Sequence, residues 1–203
     1  MYRAVTLYFI QNYITFTNPK EVQKALEKID IDFVHNEKLN HSETFLNNIN
    51  VESEIRKMYI SEKVSPVSAI KEVRAFLVAQ QQKLGRKGGV VMDGRDIGTT
   101  VFPNAELKLF FTADFNVRAQ RRQQELLEKK QLVEFDEILQ NLRHRDEIDT
   151  TRKESPLMKA PDAYVLDTTY LAFEEQVNYV VHLAQEAIRR KEEQVGLTNK
   201  TQI

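Results

Sequence analysis

Arginines and acids set close together carry most of the chemical potential of this 203-residue chain. Asp93-Gly94-Arg95-Asp96 places a guanidinium between two carboxylates, directly after the short apolar run Gly89 to Met92. Arg118, Arg121 and Arg122 lie three and four residues apart, a spacing that predicts one helix face with all three guanidiniums pointing the same way. Arg143, Arg145 and Arg152 follow, with Asp146 and Asp149 among them. Like charges at such spacing cost an isolated helix roughly 0.2–0.5 kcal/mol per pair, and an anion seated among them removes that cost. Guanidinium forks match phosphate oxygens bidentately, so the chemistry these residues suit is phosphate recognition. The competing reading is a solvated basic face neutralised by Glu125, Glu128, Asp146 and Asp149. For one arginine it is the better reading; for six on one segment, anion binding is.

Other chemistries are excluded or unsupported. Cysteine is absent, which removes disulfides and thiolate metal sites, and the four histidines show no ligand spacing, so no metal site is assigned. Lys and Arg (29) nearly cancel Asp and Glu (30), so no overall field marks a nucleic-acid or membrane partner. RNA binding through the Arg118 to Arg152 segment also lacks interleaved aromatics. His144-Arg145-Asp146 matches the tripeptide of protein-kinase catalytic loops, but the glycine-rich loop, the Val-Ala-Ile-Lys strand, the Asp-Phe-Gly and the offset Asn are all missing. Gly85-Arg86-Lys87-Gly88-Gly89 lacks the Gly-x-x-x-x-Gly-Lys-Ser/Thr spacing of a P-loop. No apolar run approaches the ~20 residues of a membrane span, and the start shows no secretory pattern, so a cytoplasmic protein is expected.

The elements that must position these residues alternate between helix and strand. Met1 to Tyr13 has helical apolar spacing without an N-cap, and Asn18-Pro19 opens a second helix to Ile29. Ile31 to Glu54 predicts a small β-rich excursion, and Pro66 is expected to start a helix running to about Lys83. Val90 to Met92 predicts a strand buried on both faces, with Gly94 and Gly98 permitting the turns that follow. Leu107 to Thr112 is a second strand, followed by Asp114 as N-cap of a helix from Val117 to about Lys130 and a further helix from Asp136 to about Asp146. Ala163 to Thr169 is a third strand, with Asp167 as a turn residue. The last helix carries the stripe Phe173, Val177, Val180, Val181, Ala184, Ala187 and Ile188, before a flexible charged tail over 191–203. Strands alternating with helices imply an α/β fold with parallel βαβ units.

Met1-Tyr2-Arg3-Ala4, Ser65 with Val73-Arg74, Asp93-Gly94-Arg95-Asp96-Ile97-Gly98-Thr99 with Val101-Phe102-Pro103, the Arg118/Arg121/Arg122 helix and Arg145-Asp146-x-x-Asp149-x-x-Arg152 together resemble bacterial cytidylate kinases. The resemblance runs in order to about the end of the last helix. It implies a single nucleoside monophosphate kinase domain of P-loop kinase type: a three-layer parallel sheet, a nucleotide-monophosphate-binding insert at 31–65 and a helical lid over 115–153. It implies transfer of the ATP γ-phosphoryl to CMP or dCMP with Mg²⁺, in a cytoplasmic monomer without membrane or nucleic-acid partners. By position, Arg3 and Arg95 match arginines that hold the acceptor phosphate, and Ser65, Arg74 and Asp96 match groups that read the cytosine edge. Arg145 and Asp149 match contacts near the acceptor's sugar and phosphate; Arg118, Arg122 and Arg152 match lid arginines, so that Arg118, Arg122, Arg145 and Arg152 are the catalytic set.

One departure qualifies this expectation. Family members begin with a strand, a Gly-rich Walker A loop, a helix and a second strand before the Met-Tyr-Arg helix, and none of these occurs in the 203 residues. The absent strand is the middle of the family's sheet, between the strands holding Val90 and Leu109. The expectation is therefore an incomplete, marginally folded sheet in a truncated chain that does not phosphorylate CMP, with no residues assigned to ATP. The alternative is a non-catalytic cytidine-nucleotide-binding protein.

Overall fold

The computed structural model of the protein describes residues 1–200. Helix α1 (Tyr2–Gln11) lies at the centre because Ala4, Val5, Leu7 and Phe9 leave almost no face for solvent. Around it pack α2 (Pro19–Leu26), the 3₁₀ turn Glu54–Arg56, α3 (Met58–Ser68) and α4 (Lys71–Gly85), whose apolar faces contribute Val22, Leu26, Ile60, Val67, Val73 and Leu77 to one core. Asn18 caps α2 by accepting the Glu21 N–H at 3.4 Å, with Pro19 in the first turn, where its missing N–H costs nothing.

The β-rich excursion is a three-stranded antiparallel sheet of β1 (Ile31–Asn36), β2 (His41–Leu46) and β3 (Ile49–Asn50), in the order β1-β2-β3. A separate parallel pair, β4 (Leu109–Thr112) with β5 (Tyr164–Asp167), flanks α5 (Phe115–Glu128) and α6 (Phe135–Thr151) in the chain, so the fold is α/β with a parallel sheet. Between α5 and α6 a second, small core forms from Ala119, Leu126 and Ile138. Asp114 caps α5, accepting from the N–H groups of Asn116 at 2.8 Å and Val117 at 3.2 Å. Asp167 is the expected turn residue, accepting from Thr169 N–H at 2.9 Å.

Several expectations are corrected. Val90 to Met92 forms no strand: nothing among the described residues pairs with it, and Val91 is fully exposed. A strand is stabilised by its neighbours' ladder, and without one an apolar run does not become a buried strand. The left-handed turns fall at Gly88 (φ 68°) and Gly89 (φ 64°), upstream of Gly94 and Gly98, which do not need positive φ. Pro66 ends a helix and does not start one: it sits in the last turn of α3, where its ring removes the N–H owed to the preceding turn, and α4 begins afresh at Lys71. The stripe of the last helix, α7 (Phe173–Lys200), is incompletely covered, since Phe173, Val177, Val181 and Ile188 are exposed and, among the helix's described side chains, only Leu183 is buried. The tail expected over 191–203 falls partly within α7, and residues 201–203 lie outside the described residues.

Candidate functional site

Helix α1 brings Arg3 to the site on its first turn, braced by the buried Ala4 and Val5 and held by a bond from Nη1 to the Ile55 carbonyl at 3.0 Å. Burial, with Arg145, Arg122 and Arg56 close by, lowers its pKa from 12.5 to about 10, against a smaller opposing pull from Glu125. Arg145 on α6 is lowered in the same way, by burial first and then by Arg95 and Arg122, with Asp149 and Asp146 opposing. Arg3 is thus opposed by the like charges of Arg145, Arg122 and Arg56, and Arg145 by those of Arg95 and Arg122. Arg122 is neutralised by Glu125 at 2.6 Å and donates to the Arg56 carbonyl at 3.2 Å; Arg56 is neutralised by Glu52 at 2.6 Å. Among the described residues Arg3 and Arg145 have no carboxylate within ion-pair distance, and the buried Nε of Arg145 has no partner.

Beside this cationic bowl lies a neutralised polar pocket. Arg74 on α4 and Asp96 form a buried ion pair, with the Arg74 guanidinium 5.5 Å from the centre of the Tyr2 ring and its Nη1 on the Ser68 carbonyl at 3.2 Å. Asp96 reaches that position at the head of the π-helical turn Ile97–Val101, where its own carbonyl accepts the Thr100 N–H at 2.8 Å. Asp149 on α6 is buried and takes two arginines, Arg95 at 3.0 Å and Arg152 at 3.3 Å. Arg152 extends to the Ser68 hydroxyl at 3.0 Å, and Ser68 donates to the Ser65 carbonyl at 2.9 Å. Burial lowers the Arg152 pKa, with Arg74 adding and Asp149 opposing. Burial raises that of the Tyr2 hydroxyl, which has no partner.

The structure thus gathers Arg3, Ser65, Arg74, Arg95, Asp96, Arg122, Arg145, Asp149 and Arg152 into one continuous region. It does not bring all six arginines of the α5–α6 segment there. Arg118 leans over the Phe115 ring and pairs with Asp146 at 2.7 Å; Arg143 approaches the same ring; Arg121 reaches across to Thr168 at 2.9 Å. Three residues of spacing do not align side chains when each finds its own anchor, so the common face expected for Arg118, Arg121 and Arg122 splits three ways. Arg56, Ser61, Ser68 and Asn141 join the site without having been singled out. Arg56 lies in a polar stretch, and Ser61, Ser65 and Ser68 recur at spacings of four and three, a pattern that the expected helix start at Pro66 divides between two elements. A cavity of about 270 Å³ beside α3 and α6, lined by Met58, Glu62, Glu137, Gln140, Asn141 and His144, contains none of the expected site residues. The arginine bowl is the better candidate because Arg3 and Arg145 sit there without an acid partner among the described residues.

What the arrangement can do follows from its charges. The bowl can hold a dianion such as a phosphate monoester, which would replace the missing acid partners of Arg3 and Arg145. The adjoining pocket presents a carboxylate, two serines and a guanidinium, suited to the amine, ring nitrogen and carbonyl of a flat heterocycle.

The chain matches the family model described as cytidylate kinase over residues 1–186. It is 64% identical to a cytidylate kinase of Cytophaga hutchinsonii over 184 residues, covering 91% of this chain and 79% of that protein. A cytidylate kinase of Bacteroides fragilis is 50% identical over 192 residues, covering 93% of this chain and 84% of the relative. One of Fusobacterium nucleatum is 47% identical over 180 residues, covering 89% and 80%.

Proposed function

Given that the chain belongs to the cytidylate kinase family of nucleoside monophosphate kinases, with their P-loop kinase fold, we propose that the arginine bowl and the Arg74–Asp96 pocket are its acceptor site for CMP or dCMP. The observation that carries this is that Arg3 and Arg145, bonded only to the Ile55 carbonyl and the Ser61 hydroxyl, have no acid partner among the described residues. Such an arrangement is costly in the unliganded fold and becomes favourable when a phosphate supplies the missing charge. Arg3 and Arg95 then hold the acceptor phosphate. Asp96 accepts from the exocyclic amine of cytosine, Arg74 and Ser65 supply donors to the remaining polar edge, and Asp149 stations Arg95 and Arg152 beside the sugar and phosphate.

The family reaction moves the γ-phosphoryl of ATP to this acceptor, and its barrier is lowered mainly by positioning and by cations on the equatorial oxygens. Arg122, Arg145 and Arg152 are the residues placed to neutralise that charge. Arg118, engaged with Asp146 and Phe115, serves the lid's own packing. No three acids or histidines among the described residues stand together so as to hold a metal, so these residues by themselves do not fit Mg²⁺. The 203 residues also contain no Gly-x-x-x-x-Gly-Lys-Ser/Thr segment for the donor phosphates. CMP binding is accordingly the function we assign to these residues by themselves, and ADP release by this chain alone is expected to be undetectable. Calorimetry with CMP and cytidine, alongside a coupled ADP assay, tests both parts. CMP binding that is no tighter than cytidine binding refutes the acceptor site; turnover at normal enzymatic rates refutes the assignment of binding alone.

A further inference from the structure

The buried face of α3 carries three serines, Ser61, Ser65 and Ser68, at relative exposures of 0%, 2% and 6%. Two of them meet α6 in a fixed register. Ser61 accepts from Arg145 Nη1 at 3.1 Å, and Ser68 accepts from Arg152 Nη1 at 3.0 Å. Each pair is separated by 84 residues, so seven residues along α3 match seven along α6 and its C-cap, and the helices run in the same direction where they touch. A serine hydroxyl has one proton to give and two lone pairs to receive. In both serines the proton is committed elsewhere, from Ser61 to Asn141 Oδ1 at 3.1 Å and from Ser68 to the Ser65 carbonyl at 2.9 Å. The lone pairs therefore face the guanidiniums, and neither hydroxyl can turn its proton towards them without losing its own acceptor.

We propose that Ser61 and Ser68 are positioning residues, two rungs of a hydroxyl ladder on α3 that seat Arg145 and Arg152 at the phosphate of the nucleotide. This rests on the acceptor-site reading above. For Arg145 the rung is decisive, because Ser61 is its one hydrogen-bond partner among the described residues and no carboxylate orients it. A neutral oxygen there has a use that a carboxylate would not. It fixes the direction of the guanidinium without cancelling its charge, leaving the cation available to an incoming phosphate. Arg152 is held more redundantly, by the Ser155 carbonyl and by Asp149, so Ser68 orients one arm of a fork that is already placed. Ser68 also joins this rung to the base-reading pocket, since its carbonyl carries Arg74. If the serines were there only as small residues that let two helices approach, alanine would serve as well.

The test uses the full 203-residue chain and its Ser61→Ala and Ser68→Ala variants. Calorimetry with CMP is expected to show Kd raised roughly five- to tenfold by Ser61→Ala, and less by Ser68→Ala, with cytidine affinity unchanged in Ser61→Ala because Arg145 faces the phosphate. Guanidinium ¹⁵N NMR of the unliganded chain provides a readout that simple helix packing would not move. Rotation of the Arg145 group about its Nε–Cζ bond is expected to quicken severalfold in Ser61→Ala while that of Arg122 does not change. An unaltered Arg145 signal in Ser61→Ala overturns the proposal whether or not CMP binds. Equal CMP affinity in wild type and Ser61→Ala also overturns it. Failure of the wild-type chain to bind CMP counts against the acceptor site, and the NMR result then decides the ladder separately.

Discussion

Replacing Arg3 by methionine should separate what the cationic cluster does for binding from what it does to the fold. The stem of the side chain is retained and only the charged head is lost. Burial and three neighbouring arginines take the Arg3 pKa from 12.5 to about 10. The folded protein therefore disfavours that charge by about 3 kcal/mol, lowered towards 2 by residual solvent. The unfolded chain holds the proton more tightly than the folded one. The penalty is therefore complete below pH 10, including at pH 7, and is relieved as pH climbs from about 10 towards 12.5. Against it stands the bond to the Ile55 carbonyl, whose loss costs about 1 kcal/mol. Arg3→Met should thus be about 1–2 kcal/mol more stable than wild type in urea at pH 7, a rise in melting temperature of about 2–4 °C per kcal/mol for a chain of this size. Saturating CMP, which should raise the wild-type melting temperature, should raise that of the variant far less, because a positive contact to the phosphate is gone. Arg3→Lys, which keeps a charge in the cluster, should not share the gain. A variant less stable than wild type by 1 kcal/mol or more, or one that CMP stabilises equally well, would refute the reasoning that these cations are gathered at a cost for the sake of an anion.

Other predictions bear on the neighbouring elements. Asp96→Asn strands the Arg74 cation in a buried site and should cost about 3–5 kcal/mol in chemical denaturation, whereas Arg74→Met combined with Asp96→Leu should cost much less; a small loss in the single variant would mean the pair is better hydrated than its burial indicates. Asp114→Ala removes the acceptor for two N–H groups of α5 and should lower stability by about 1 kcal/mol, read as a shift in urea midpoint at constant slope. Glu125 is pushed up by burial, yet bonds from Lys129 and Arg122 prevail and hold it at about 2, so its contribution is full above pH 4.5 and lost as pH falls from there through 2. Glu125→Gln should accordingly flatten the acid limb of the stability profile over that range; an unchanged limb contradicts the assignment. Arg118→Ala should leave CMP affinity within about twofold, since Arg118 is occupied by Asp146 and Phe115 and a surface pair of this kind contributes little; a large loss would restore Arg118 to the binding set.

Much of the site is legible from residue types and order. Asp93-Gly94-Arg95-Asp96, Arg145-Asp146-x-x-Asp149-x-x-Arg152 and the Ser65 to Arg74 interval hold seven of the nine expected residues that the fold gathers, and Arg3 and Arg122 come from the Met-Tyr-Arg start and the arginine helix; the resemblance carried by these motifs, more than residue type alone, marked them as a set. Local signals likewise set the caps at Asn18 and Asp114, whose geometry involves only three or four successive residues. What tertiary structure decided is which charges meet. Arg118 and Arg122 are indistinguishable by spacing, yet one leans on Phe115 and pairs with Asp146 of α6 while the other pairs with Glu125 and reaches the Arg56 carbonyl, because each meets a different neighbouring element. Val90 to Met92 shows the same limit for the backbone: a run of apolar residues states a capacity for strand, but a strand exists only where another chain segment completes its hydrogen bonds. The serine ladder was present as a spacing of four and three along one helix. Its meaning depended on a second helix, eighty-four residues away in sequence, lying alongside in register.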